Sequence, residues 1–299
     1  MRRPLPPELR GRPFSVGEAR ELGVSRSRTR ALDLAAPFRG IRMPSGDAKK
    51  ERCLAYSERM PPEHAFSHGT AAGLLGLPLP RFLQDEWDIH VSARSPSREP
   101  RVRGVKGHLV GSDSREFVTV NGIRVTHPLE TWRALSACLS LDQLIVMGDA
   151  LVRRQNPLVK IDELRNAVIE HCGRRGARNL TAAARYVRER TDSPPETSIR
   201  LLIVRAGLPE PMVNIEIVNR YGVRIAIGDL GYPEYRVLIE YDGEYHFADN
   251  AQMFRDVDRL DAVMEEGWRV IRLNKTHLNR GATVVAKVEA ALRAAGWRR

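Results

Sequence analysis

No apolar run in this chain approaches the roughly 20 residues that a membrane-spanning helix requires, so no membrane partner is expected. The first residues, MRRPLPPELRGRPF, are basic but lack the apolar stretch of a secretory leader. Cysteine occurs only at Cys53, Cys138 and Cys172. An odd number at wide spacing excludes a disulfide framework and a zinc knuckle, and a reducing cytoplasm is the expected location. Lysine is scarce too, confined to Lys49, Lys50, Lys106, Lys160, Lys275 and Lys287. Arginine therefore carries the positive charge, which is in part the signature of a high-GC genome.

What is present is an ordinary globular composition, 42% hydrophobic and 28% charged over 299 residues, enough for two or three domains. The formal net charge of +11 is unevenly placed: residues 191–299 hold 15 Lys and Arg against 16 Asp and Glu, which leaves +12 for residues 1–190. Such an excess over the first two thirds points to nucleic acid as the partner.

Ser15-Val-Gly-Glu18 is a capping box that starts a short helix reaching Leu22. Gly23 supplies a turn, and Ser25 can cap a second helix over RSRTRALDLA, residues 26–35. Two helices joined by a glycine turn form a helix-turn-helix, and Arg26, Arg28 and Arg30 would lie at the start of its recognition helix. Phe38-Arg-Gly-Ile-Arg-Met43, with Arg39 and Arg42, reads as a wing strand pair. The alternative is a small helical hairpin with a solvated arginine face.

Farther on, Ser67 to Leu77 reads as a capped helix ending at Gly76, and Trp87 to Val91 as a strand. Residues 93–106 form a basic loop, and Val118 to Val125 a hairpin around Asn121-Gly122. Residues 129–154 read as helical, and 159–190 as two helices split at Gly173. His68, at a helix start with no identifiable partner, reads as structural.

The strongest chemical signal lies in Asp229 to His246, DLGYPEYRVLIEYDGEYH. Val237, Leu238 and Ile239 form a buried strand, and Glu240 and Asp242 follow it at once. Carboxylates beside a buried strand are costly unless something pairs with them. Mg²⁺ or Mn²⁺ is the natural partner, because a hard cation takes oxygen ligands from a few carboxylates. Met212 to Val218 alternates with Val213, Ile215 and Ile217 on one side; in the next strand Val223, Ile225, Ile227 and Asp229 share a face. On the third strand Leu238, Glu240 and Asp242 share a face, neighbours roughly 7 Å apart. Ser193-Pro-Pro-Glu196 opens a helix whose Glu196, Ile199 and Ile203 form one stripe, so Glu196 can cap the helix and also turn toward the sheet. The acids at the ends of these two strands, with Glu196 from the flanking helix, can together surround one cation.

The joint pattern SPPETSIR, GDLGYPEYRVLIEYDGEYH, FRDVDRL and EEGWRVIRL over residues 191–299 resembles the very-short-patch-repair (Vsr-like) branch of the PD-(D/E)xK nucleases, and more closely the restriction-endonuclease-like C-terminal domain of actinobacterial proteins. That resemblance implies a Mg²⁺-dependent endonuclease in which Glu196, Asp229 and Glu240 hold the metal. Asp242 stands where the core motif has lysine, and His246 is then the general base. Asp256 and Arg259 would form a supporting pair on a helix, and Arg272 would face phosphate. Residues 1–150 resemble AbiEi-like antitoxins and regulators through the winged-helix start, FSHGTAAGLLGLPLP and VTHPLETWRAL, which implies DNA binding.

The expected architecture is α/β, α+β overall. It comprises a winged helix-turn-helix (1–48), a mixed α/β domain (49–155), a helical connector (156–190) and an endonuclease-like core (191–299). DNA is the expected partner and a homodimer an option. Three other functions compete: a regulator or antitoxin with a silent nuclease fold, an RNA-cleaving toxin, and a non-enzymatic repair scaffold.

Overall fold

The computed structural model describes residues 4–44, 49–243 and 250–299, with backbone alone for 250–256. The chain divides into two compact units, residues 1–138 with 173–177, and residues 139–172 with 178–299. Both mix helices with sheets, so the architecture is α+β.

In the first unit Ser15 accepts from the Glu18 N–H and starts α1 (Val16–Glu21), as the capping box predicts. The expected helix over 26–35 does not form. Ser25 Oγ accepts from the Arg28 N–H, but only one 3-10 turn follows, Arg28–Arg30, and the chain is extended again at Ala31. In a helix the Thr29 carbonyl would accept from the Asp33 N–H. Here Arg42 Nε takes that carbonyl. Asp33 instead chelates Arg28 at 3.0 and 2.8 Å. Strand β1 (Phe14–Ser15) and strand β2 (Leu34–Ala35) both pair antiparallel with β3 (Ile41–Pro44). Leu5, Leu9, Phe14, Ala19 and Leu34 form the small core beneath.

Next come α2 (Lys49–Ser57), β4 (His64–Phe66), α3 (His68–Leu74), α4 (Arg81–Gln84), β5 (Ile89–Arg94), β6 (Val105–Val110), β7 (Val118–Val120), β8 (Ile123–Val125) and α5 (Pro128–Leu135). Five strands form one sheet in the order β6-β5-β4-β8-β7. Asn121 and Gly122 turn the β7–β8 hairpin at φ +49° and +77°, as a two-residue turn of that hand requires. The strand expected from Trp87 begins instead at Ile89. Arg52 lies 4.1 Å over the Trp87 ring and donates to its carbonyl, which keeps Trp87 out of the ladder.

The second unit opens with α6 (Leu141–Leu151), α7 (Ile161–Glu170) and α8 (Ala177–Ala184). Helix α9 (Pro194–Arg205) starts at Ser193, with Pro194 in the first turn and Glu196, Ile199 and Ile203 buried, as the stripe predicts. A meander of β9 (Met212–Val218), β10 (Arg224–Tyr232) and β11 (Val237–Asp242) follows, and α10 (Asn250–Glu265) crosses to β12 (Arg269–Asn274), parallel to β11. α11 (Lys275–Leu278) and α12 (Gly281–Ala294) close the chain. Helices α9 and α12 cover one core, in which Ile199, Ile203, Leu230, Ile239, Leu273 and Val288 meet. The other core joins Ile215, Ile217, Ala226 and Leu238 to Val263 of α10. Fully burying an aliphatic side chain of this size contributes about 1.5–3 kcal/mol.

Two details of the meander depart from simple alternation. Ala226, Gly228, Leu230, Gly231 and Tyr232 are the buried positions of β10, whereas Ile225 and Ile227 are half-buried and Val223 is 58% exposed. The β9–β10 register shifts between Arg224 and Ala226, and beyond it Ala226 and Leu230 pack into different cores. Asn214 adopts φ +47°, so Val213 and Ile215, two residues apart, pack into different cores.

Candidate active site

Asp229 and Glu240 meet because β10 and β11 pair in one register. Leu230 lies opposite Ile239, and one step on places Asp229 opposite Glu240. The Tyr241 N–H donates to Asp229 Oδ2 at 2.8 Å. Gly228 makes room beside them: a Cβ there would lie 2.2 Å from Leu238 Cδ1 and 3.3 Å from Glu240 Oε1. Glu240 is buried, its two oxygens 3.4 and 3.3 Å from the Arg259 guanidinium.

Glu196 is buried at the start of α9. Its Oε1 accepts from Ser193 Oγ at 2.7 Å, and its Oε2 from the Asp192 N–H at 3.0 Å and Asn214 Nδ2 at 3.3 Å. It is therefore a capping acid and a buried acid at once. Sequence reasoning missed Asn214; its strained φ exists to reach Glu196 and the Arg190 carbonyl, and a lone asparagine in a strand was the only signal.

Burial pushes the Glu196 carboxyl up to about 7 despite its donors, and the Asp229 charge adds to the shift. Burial likewise pushes Glu240 up to about 7, again with Asp229 adding, and Arg259 only partly offsets it. Asp229 is raised by burial as well. Both glutamates feel Asp229, so the three acids form one electrostatic group, with Arg259 as its cationic neighbour at Glu240. They are not drawn as close as ligands of one ion: among the described residues, the groups of three whose donor atoms all lie within 4.8 Å reduce to His68, His90 and His108. Each acid is held back by its own partner: Glu196 by its three donors, Asp229 by Tyr241, Glu240 by Arg259.

The remaining expected residues divide. Asp242 Oδ2 accepts from Arg272 Nε at 2.9 Å, so Arg272 is turned onto a carboxylate rather than outward to phosphate. Arg259 reaches Glu240 itself. His246 and the Asp256 side chain lie outside the described residues. Of the arginines expected at DNA, Arg26, Arg30 and Arg39 are exposed, whereas Arg28 is chelated by Asp33 and Arg42 donates to the Thr29 and Ile41 carbonyls.

Metal ligation needs ionised carboxylates. With Glu196 and Glu240 both near 7, a cation must displace two protons in mildly acid solution. Were Mg²⁺ the ion held here, its affinity would be ~10²-fold weaker at pH 6 than at pH 8 by calorimetric titration. The stability sign runs the other way. A carboxyl with a raised folded pKa stabilises the fold while protonated, and that contribution is lost as pH rises through about 7. Mg²⁺ held at these carboxylates would then raise the melting temperature more at pH 8 than at pH 6.

No family model matches the chain, and no solved structure matches it. Two uncharacterized proteins, one from each of two strains of Mycobacterium tuberculosis, are 27% identical over 203 residues, covering 68% of this chain and 71% of theirs. Among the described residues no helix is long and apolar enough to cross a membrane.

Proposed function

We propose that the chain is a DNA-binding protein whose second unit is a Mg²⁺-dependent endonuclease. The observation that carries this reading is the cross-strand pair Asp229 and Glu240, joined electrostatically to buried Glu196, with all three carboxyls raised by burial. Clustered hard oxygen donors of this kind fit Mg²⁺ or Mn²⁺. The order helix, three-stranded meander, crossover helix and parallel strand, with acids at the end of the central pair, supports the Vsr-like resemblance.

In this reading Asp229 and Glu240 would hold the ion, with Glu196 as the third acid of the group. The ion would polarise a phosphoryl oxygen and lower the pKa of a bound water. Arg259 keeps Glu240 aimed when the site carries no ion. The Asp242–Arg272 pair at the motif's lysine position favours one competitor, a silent nuclease fold serving a regulator.

DNA affinity would come from the basic first two thirds of the chain, with Arg26, Arg30 and Arg39 as phosphate contacts that position the duplex. Replacing all three by Ala is expected to lower the slope of log affinity against log salt by about 2–3, near 0.9 per lost contact. An unchanged slope would remove this face from DNA binding.

A further inference from the structure

Apart from the carboxylates, a second cluster of metal-binding groups lies wholly within the first unit. His68 begins α3, His90 lies on β5 and His108 on the neighbouring, parallel β6, where His90 pairs with Lys106 and Ser92 with His108. One nitrogen of each ring lies within 4.8 Å of the others. His90 Nδ1 and His108 Nε2 are 2.9 Å apart. Two neutral imidazole nitrogens at that distance repel unless a proton or a metal cation lies between them. A proton serves two nitrogens; here a third ring converges on the same place, with His68 stacked at 3.8 Å on His108.

The surroundings aim these rings. His68 holds φ +50°, a backbone state that few non-glycine residues adopt. Ser67, at the N-cap of α3, makes no capping bond; its hydroxyl lies 3.1 Å from His68 Nδ1, which leaves Nε2 for a ligand. His90 Nε2 lies 3.0 Å from Glu86 Oε2, so the carboxylate sits directly behind the ring. Lys106 binds the other oxygen of Glu86. A carboxylate behind a histidine is how metal-binding imidazoles are fixed in one tautomer, with the opposite nitrogen free for the metal.

We propose that His68, His90 and His108 bind one borderline divalent transition metal ion, Zn²⁺ in the first instance, with Glu86 as positioning residue for His90. Imidazole nitrogens select Zn²⁺ over Mg²⁺, so this site and the carboxylate site take different ions. Three protein ligands leave a fourth tetrahedral position for water or a substrate atom. The ion would also tie α3, β5 and β6 together.

The test is a Co²⁺ titration of the full-length chain after chelator treatment and dialysis, followed by Zn²⁺ competition. The expected result is a visible d–d band of four-coordinate Co²⁺ that saturates near one equivalent, is displaced by Zn²⁺, persists in Asp229→Ala and is lost in His108→Asn. Glu86→Gln should keep the band but weaken binding about 10–100-fold. A folded wild-type chain without the band, or a band undiminished in His108→Asn, overturns the proposal. Should His108→Asn fail to fold by circular dichroism, Glu86→Gln decides: unchanged affinity in that variant also overturns it.

Discussion

Asp229→Ala is expected to lower Mg²⁺-dependent DNA cleavage by about 10²–10³-fold or more, with DNA affinity unchanged. Asp229 lies opposite Glu240 and raises the carboxyls of both Glu240 and Glu196, so it is the centre of the acidic group. Its removal takes away a metal ligand and, at the same time, relieves its neighbours. Glu196 and Glu240 should then titrate closer to ordinary carboxylates, and the variant should be more stable than wild type at pH 8 without metal. Loss of cleavage with gain of metal-free stability separates a binding site from a structural acid. A structural Asp229 would show the reverse, a destabilised chain, because the Tyr241 N–H would lose its acceptor.

Arg200→Met is expected to destabilise the second unit by about 3–5 kcal/mol, a drop in melting temperature on the order of 10 °C. Arg200 is fully buried on α9. It donates to Asp149 Oδ2 at 2.8 Å, to the Tyr186 carbonyl at 2.8 Å and to Glu210 Oε1 at 3.0 Å. Asp149, equally buried on α6, also accepts from Thr197 Oγ1 and the Arg188 N–H, both at 2.7 Å. Burial still raises the Asp149 carboxyl, so the aspartate depends on the arginine. Without the guanidinium, a carboxylate is stranded in the core. The double change Arg200→Met with Asp149→Leu should recover much of the loss, since an apolar pair carries no desolvation cost. Urea unfolding monitored by circular dichroism measures both variants; equal losses in the single and double variants would show that packing, and not charge, dominates.

Local signals were legible where one short segment determines the outcome. Ser193-Pro194 with Glu196 starts α9, Ser15 with Glu18 starts α1, and Asn121-Gly122 turns the β7–β8 hairpin. The acidic strand ends were legible too, because carboxylates next to Val237–Ile239 are improbable without a purpose. Long-range choices were not. Arg42, 13 residues away, takes the carbonyl that a recognition helix would need. The register shift between Arg224 and Ala226 depends on the pairing with β9, and nothing in Val223–Ile227 announces it. Arg200 and Asp149 are 51 residues apart. The three histidines lie on three different elements, so no spacing in the sequence connects them.

The central claim is that Glu196, Asp229 and Glu240 form a metal-dependent nuclease site. The most direct measurement is cleavage of supercoiled, mismatched and single-stranded DNA by wild type and Glu240→Ala, side by side, in Mg²⁺ and in EDTA. The account predicts cutting of at least one substrate by wild type in Mg²⁺, none in EDTA, and none by Glu240→Ala. Equal DNA binding by both proteins, with no cutting by either in Mg²⁺ or Mn²⁺, would contradict it and leave a regulator with a silent nuclease fold.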